Sequence, residues 1–147
     1  MNEIEPIGAQ QQDSDLQDTM PHNIEAEQQL LGAILTNNEV YDREASIIGS
    51  ANIFDPVHGN VFDTAEARIR KNAIASPVTL KAFLDDDTGV AVLGGPAYLV
   101  KLAGASIASV AARVYGQLIY DLAIRRELIA RGRDSSDEAA SVGVAGA

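Results

Sequence analysis

Two histidines, an acidic run, a serine among small residues and an arginine-bearing stretch are the parts of this sequence that could do chemistry. His22 and His58 carry imidazoles, which serve as general bases or metal ligands near neutral pH. A zinc site needs three or four ligands held together, and the chain has no cysteine to complete one. His58 stands between Phe54 and Phe62 at a helix start, and reads as a packed or capping histidine. Asp85-Asp86-Asp87-Thr88-Gly89 begins like a calcium loop. Counted from Asp85, its sixth position is Val90 where the turn needs Gly, and its twelfth is Pro96 where the ion needs Glu. A solvated acidic turn is the better reading. Gly104-Ala105-Ser106-Ile107-Ala108 has the outline of a nucleophile elbow, but Ala closes it and a helical pattern precedes it. Ser106 and Ser109 read instead as caps for the helix that follows. No Gly precedes a Lys, which excludes a P-loop, and Gly94-Gly95 reads as a turn. No catalytic, cofactor-binding or metal-binding residue is assigned.

The stretch from Arg113 to Arg133 holds five Arg against Asp121 and Glu127 and is the only basic one. It sits in a chain of net charge −10 and pI near 4.4. Broad binding to a phosphate backbone needs clustered cations, so that class is disfavoured. A solvated or protein-contacting helix face fits better. No apolar run approaches the ~18 residues of a membrane span, and the acidic N-terminus lacks a signal-peptide pattern. The expected compartment is the cytoplasm, with no membrane association.

The elements that position these residues are helices. The chain has 147 residues, 46% hydrophobic but only 5% aromatic with no Trp, so Ala, Leu, Ile and Val must fill the core. No segment sustains period-2 alternation, although Val90-Ala91-Val92-Leu93 is a short strand candidate. Residues 1–20, with five acidic residues and no basic one, read as a disordered acidic arm. Residues 21–104 read as a helical core. Asn23 caps the first helix, with Glu25 and Glu27 as favourable first-turn charges and Ala26, Leu30, Leu31, Ile34 and Leu35 as its apolar face. A short helix with Val40, Ile47 and Ile48 buried follows. Asp55-Pro56 and Ser76-Pro77 are start signals, the first followed by Val57, Val61, Phe62, Ala65 and Ile69, the second by Leu80, Phe83 and Leu84. The acidic run opposes the second helix's dipole and should end it early. Gly94-Gly95-Pro96 turns into a helix buried through Tyr98, Leu99 and Leu102. Residues 105–140 read as one long helix, and 141–147 as a flexible tail. The expectation is all-α: a compact bundle of about five short helices followed by one long one.

Five blocks in order then carry a resemblance. Pro21-His22-Asn23-Ile24-Glu25-Ala26-Glu27-Gln28-Gln29-Leu30-Leu31-Gly32-Ala33-Ile34-Leu35 resembles the opening of the N-terminal domain of DnaB-type bacterial replicative DNA helicases. Phe54-Asp55-Pro56-Val57-His58-Gly59-Asn60-Val61-Phe62, Pro77-Val78-Thr79-Leu80 and Gly94-Gly95-Pro96-Ala97-Tyr98-Leu99 are similar to later family blocks. Tyr115, Ile119 and Arg126-Glu127-Leu128-Ile129 sit where its long helix carries similar residues. The resemblance covers about residues 20 to 134.

It implies an all-helical collar domain ending in a helical hairpin, of which this chain shows the first arm and not the second. It implies a role in DNA replication through association of helicase subunits, hexameric in the full protein, and docking of the C-terminal domain of primase. For some bacteria the resemblance also implies a part in helicase loading, with a loader as a further partner. ATP and Mg, and contact with single-stranded DNA, would belong to a separate motor domain or to the whole hexamer, so this chain has no cofactor of its own. The alternative is a standalone, helicase-derived adaptor or decoy that binds primase or helicase subunits; a small hydrolase or DNA-binding domain is the third reading. The residues expected to meet a partner are Tyr115, Ile119, Leu122, Arg126 and Ile129, apolar anchors with one Arg, of the kind enriched at contact centres.

Overall fold

The structure is a computed structural model. It describes residues 20–105 and 111–146, with the side chains of 44, 45 and 139–146 left aside. The acidic arm before Met20, and the expected caps Ser106 and Ser109, lie outside the described residues.

Every described element is helical, in the order α1 (Ile24–Thr36), a π-helical turn (Tyr41–Ala45), a 3-10 turn (Ser50–Asn52), α2 (Pro56–Arg70), α3 (Pro77–Leu84), α4 (Thr88–Val92), α5 (Pro96–Ala105) and α6 (Ala112–Gly146). The all-α architecture ending in one long helix is the expected one, but the short helix expected over Val40–Ile48 is the π-helical turn, and α4 is a helix the sequence reading did not include. The start signals act as read. Asn23 Oδ1 accepts from Ala26 N–H at 2.9 Å, Asp55 Oδ1 from Val57 N–H at 2.8 Å, and Ser76 Oγ from Thr79 N–H at 3.3 Å. Each supplies an acceptor to a helix end that has none of its own.

α1 is the centre of the body and packs chiefly against α5 and α6, with α2 on a further side. Its residues from Leu30 to Leu35 are all buried, more than one apolar stripe would be. Neighbours on several sides explain why small residues, Gly32 and Ala33, stand among the large ones. A glycine there costs about 1 kcal/mol in helix propensity, which closer packing can offset.

Four local expectations are corrected. Ile47 is 56% exposed, while Val40 and Ile48 are buried. The intervening π turn holds more residues per turn than an α-helix, so it shifts the phase of the buried face. Phe83 is 61% exposed. Eight-residue α3 buries Leu80 and Leu84, one helical row away. The strand candidate at Val90 is instead α4, because Asp87, the last of the acidic run, caps it by accepting from Val90 N–H at 2.9 Å. α3 does end at Leu84, before the acidic run, as its dipole requires. Finally, α6 continues to Gly146, where the sequence reading placed a flexible tail from Ser141. The segment has no Pro to stop it, and its alanines are the best helix formers.

The turns are equally specific. Gly94 (φ +123°) and Gly95 (φ +67°) take the left-handed backbone that closes α4 and aims α5 back across α1. Asn38 ties the end of α1 to the loop before α3: its Nδ2 donates to Ile34 O (2.8 Å) and Ala75 O (2.7 Å), and its Oδ1 accepts from Ala75 N–H (2.9 Å). Tyr41 donates to Glu66 on α2 and accepts from Arg70 at 3.1 Å. Burial, then the Glu66 carboxylate, pushes the Tyr41 phenol up, so it remains a neutral donor. None of the described helices is long and apolar enough to cross a membrane.

Asn38→Ala leaves the Ala75 amide and carbonyl without this partner and should lower unfolding stability by about 1–3 kcal/mol. Urea denaturation of the variant checks this; Asn38→Asp, which keeps the acceptor, should recover part of the loss.

Candidate functional site

The site is a buried polar network built where α1, α2 and α5 meet. Glu27 lies on α1 in the row of Leu30, Leu31 and Ile34, and is 2% exposed. His58, on α2 in the row of Val61, Phe62 and Ala65, is 1% exposed. A buried carboxylate is tolerated only when its lone pairs are filled. Glu27 accepts from Phe54 N–H (2.7 Å), Asp55 N–H (3.3 Å) and His58 Nδ1 (2.9 Å). The sequence reading of Glu27 as a mere first-turn charge is therefore corrected, while Glu25 is exposed as that role requires.

The network continues through the imidazole. His58 Nε2 lies 2.6 Å from the Tyr98 hydroxyl, and Gln28 Nε2 donates to that hydroxyl at 3.3 Å. Because the carboxylate only accepts, Nδ1 carries the proton. Tyr98 then donates to Nε2 and accepts from Gln28, and every group has a partner. The Tyr98 and His58 rings are parallel, with centroids 6.0 Å apart. Burial above all pushes the Tyr98 phenol up; Asp55 and Glu27 add to that, and the Gln28 bond opposes it. Tyr98 thus stays a neutral hydroxyl. His58 is the packed histidine of the sequence reading, with both ring nitrogens engaged.

A second layer attaches α6. The Phe54 ring stacks on His22 with centroids 4.0 Å apart and planes 7° apart. The Arg126 guanidinium stands 5.3 Å from the same Phe54 ring. Its two terminal nitrogens donate to Pro21 O and Asn52 O, each at 2.7 Å. Burial lowers the Arg126 pKa and the Glu27 charge opposes that drop. One side chain on α6 thereby holds the chain before α1 and the chain before α2.

Of the residues expected to meet a partner, Ile119 is 2% exposed and part of the core. Tyr115 packs against that core, and Leu122 and Ile129 are half-buried. Arg126 is spent within the chain. These five share the side of α6 turned toward the body. The opposite side carries Val114 (65% exposed), Tyr120, Ile124 and Leu128 (60% exposed). Tyr120, Ile124 and Leu128 stand four residues apart and form one row. α6 is 35 residues, or about 50 Å. From Ala130 to Glu138 it is exposed all round. Among the described residues no group of His, Asp and Glu is placed to hold a metal ion.

Fold and site together define an all-helical domain that ties a long projecting helix to its body through a buried polar network. The family model described as the DnaB-like helicase N terminal domain matches residues 19–121, and the chain belongs to that family. It is 39% identical over 126 residues to the replicative DNA helicase DnaB of Rickettsia typhi, covering 86% of this chain and 25% of that protein. It is 30% identical over 112 residues to DnaB of Haemophilus influenzae, covering 76% of this chain and 24% of that protein. The chain thus spans about a quarter of the length of these curated relatives. The crystal structure of the N-terminal domain of DnaB helicase from Mycobacterium tuberculosis superposes with a TM-score of 0.71 at 25% identity, over 81% of this chain and 86% of that one.

Glu27→Ala orphans three buried donors and should cost about 3 kcal/mol or more. Combined with His58→Ala in a double-mutant cycle, it should show a coupling of about 1–3 kcal/mol, read from urea midpoints. Tyr98→Phe should cost about 1 kcal/mol.

Proposed function

We propose that this chain is the collar module of a replicative DNA helicase, serving DNA replication through association between helicase subunits and docking of the C-terminal domain of primase. The hydrolysis of ATP, with Mg, and movement along single-stranded DNA belong to a separate motor domain. The observation that carries the reading is the convergence of four of the five family blocks on one network. Glu27, Phe54, Asp55 and His58 meet at one carboxylate, Tyr98 joins through His58, and Arg126 joins through Phe54 and the Pro21 carbonyl, although these residues lie far apart in sequence. Family membership and relatives named as replicative helicases support the same reading.

The network's role in this function is to hold α6 at a set angle from the body. The exposed row Tyr120, Ile124 and Leu128 is then the face offered to a helix of another subunit. It replaces the face expected from sequence, since Ile119 and Arg126 are committed to the body. Substituting those two would disturb the fold as well as any contact.

The test uses the 147-residue chain. Sedimentation should show self-association that Ile124→Asp with Leu128→Asp reduces while helicity and urea midpoint are kept. Calorimetric titration with the primase C-terminal domain should give saturable heat. A monomer at all concentrations that also ignores primase would overturn the proposal. ATP turnover by the pure chain would count against it as well.

A further inference from the structure

Away from the network and from α6, the last turns of α2 and the start of the loop beyond it form a groove of about 480 Å³ with α3. Ala67, Ala73 and Phe83 give it apolar walls, Arg68 and Lys71 stand along it, and Asp63 marks its other end. Phe83, 61% exposed, presents apolar surface here that the core does not use.

Arg68 is held on two sides. Its Nε donates to Ile74 O at 2.6 Å, and its guanidinium lies 5.2 Å from the centre of the Phe83 ring. Its two terminal nitrogens meet no acceptor among the described residues, and they form the fork that grips a carboxylate at two points. The neighbouring carboxylate Glu66 is occupied with Arg70 and Tyr41. Among the described residues no ion pair reaches Arg68 or Lys71. The C-terminal dipole of α2 accounts for cations at this point. It does not account for an aromatic ring left in water under one of them. Two unpaired cations beside an apolar groove are notable in a chain of net charge −10.

We propose that this α2–α3 groove docks a peptide segment of a partner protein that carries an apolar anchor flanked by carboxylates. The anchor lies against Phe83, Ala67 and Ala73, one carboxylate takes the free fork of Arg68, and another faces Lys71. This surface is distinct from the outer face of α6, and the proposal does not depend on the proposed subunit association.

The test is a heteronuclear NMR titration of the isotope-labelled 147-residue chain with three synthetic pentapeptides: Asp-Glu-Phe-Glu-Asp, its Lys-for-acid counterpart, and its Gly-for-Phe counterpart. The acidic Phe peptide should move the amides of residues 63–74 and 83 saturably, and added salt should weaken it. The lysine peptide should leave them unmoved. Lys71→Glu and Phe83→Ser, both at exposed positions, should each weaken binding about tenfold or more with unchanged urea midpoints. Arg68→Lys should weaken it too, because it keeps the charge and loses the fork. Shifts centred elsewhere, equal response to the lysine peptide, or binding unaffected by Lys71→Glu in a folded protein would each overturn the proposal.

Discussion

The fold depends on one buried carboxylate. Glu27 sits on the central helix where an apolar residue would be expected, and it is stable there because three donors converge on it. Two of them are backbone amides at the entry to α2, so the carboxylate sets where that helix begins. The third is His58, in the first turn of α2, so it also sets how α2 is rotated. His58 passes the constraint to Tyr98 on α5. An apolar contact would tolerate sliding by an ångström or two; a chain of filled hydrogen bonds in a dry interior does not.

The placement of α6 is a second consequence. Arg126 donates to two carbonyls whose positions follow from the start of α1 and the start of α2. Its guanidinium also lies over Phe54, whose own amide is bound by Glu27. Arginine suits this task because its planar fork reaches two acceptors while its face meets a ring. A long helix has little contact beyond its first half, so a small error at its base would be magnified at its far end. A charge-assisted clamp near the middle of α6 limits that error.

The two faces of α6 therefore have different duties. The inner side, with Ile119 and Arg126, belongs to the body. The outer side carries Tyr120 and Ile124, each about a third exposed, and Leu128, which is 60% exposed. Elsewhere the surface is divided in the same way. Arg70 completes a cluster with Tyr41 and Glu66, whereas Arg68, two residues earlier, has its guanidinium on an exposed ring.

The helices themselves were legible in the sequence. Asn23, Asp55, Ser76 and the Gly94-Gly95-Pro96 turn act through backbone groups within a few residues, so local pattern suffices to read them. The family resemblance was legible for a related reason, since its blocks keep their order. Glu27 and His58 left a signal that composition hides: each is a polar residue standing in an apolar row at helical spacing. What each touches was not legible, because the partners lie 27 to 40 residues away in the chain. The exposure of Ile47, the exposure of Phe83 and the commitment of Arg126 were likewise decided only by tertiary structure. A π turn, a short helix and two distant carbonyls determine them, and none is encoded by the residue's immediate neighbours. Periodicity determined that α6 has an apolar stripe; only packing against α1 decided which side of that helix remained open.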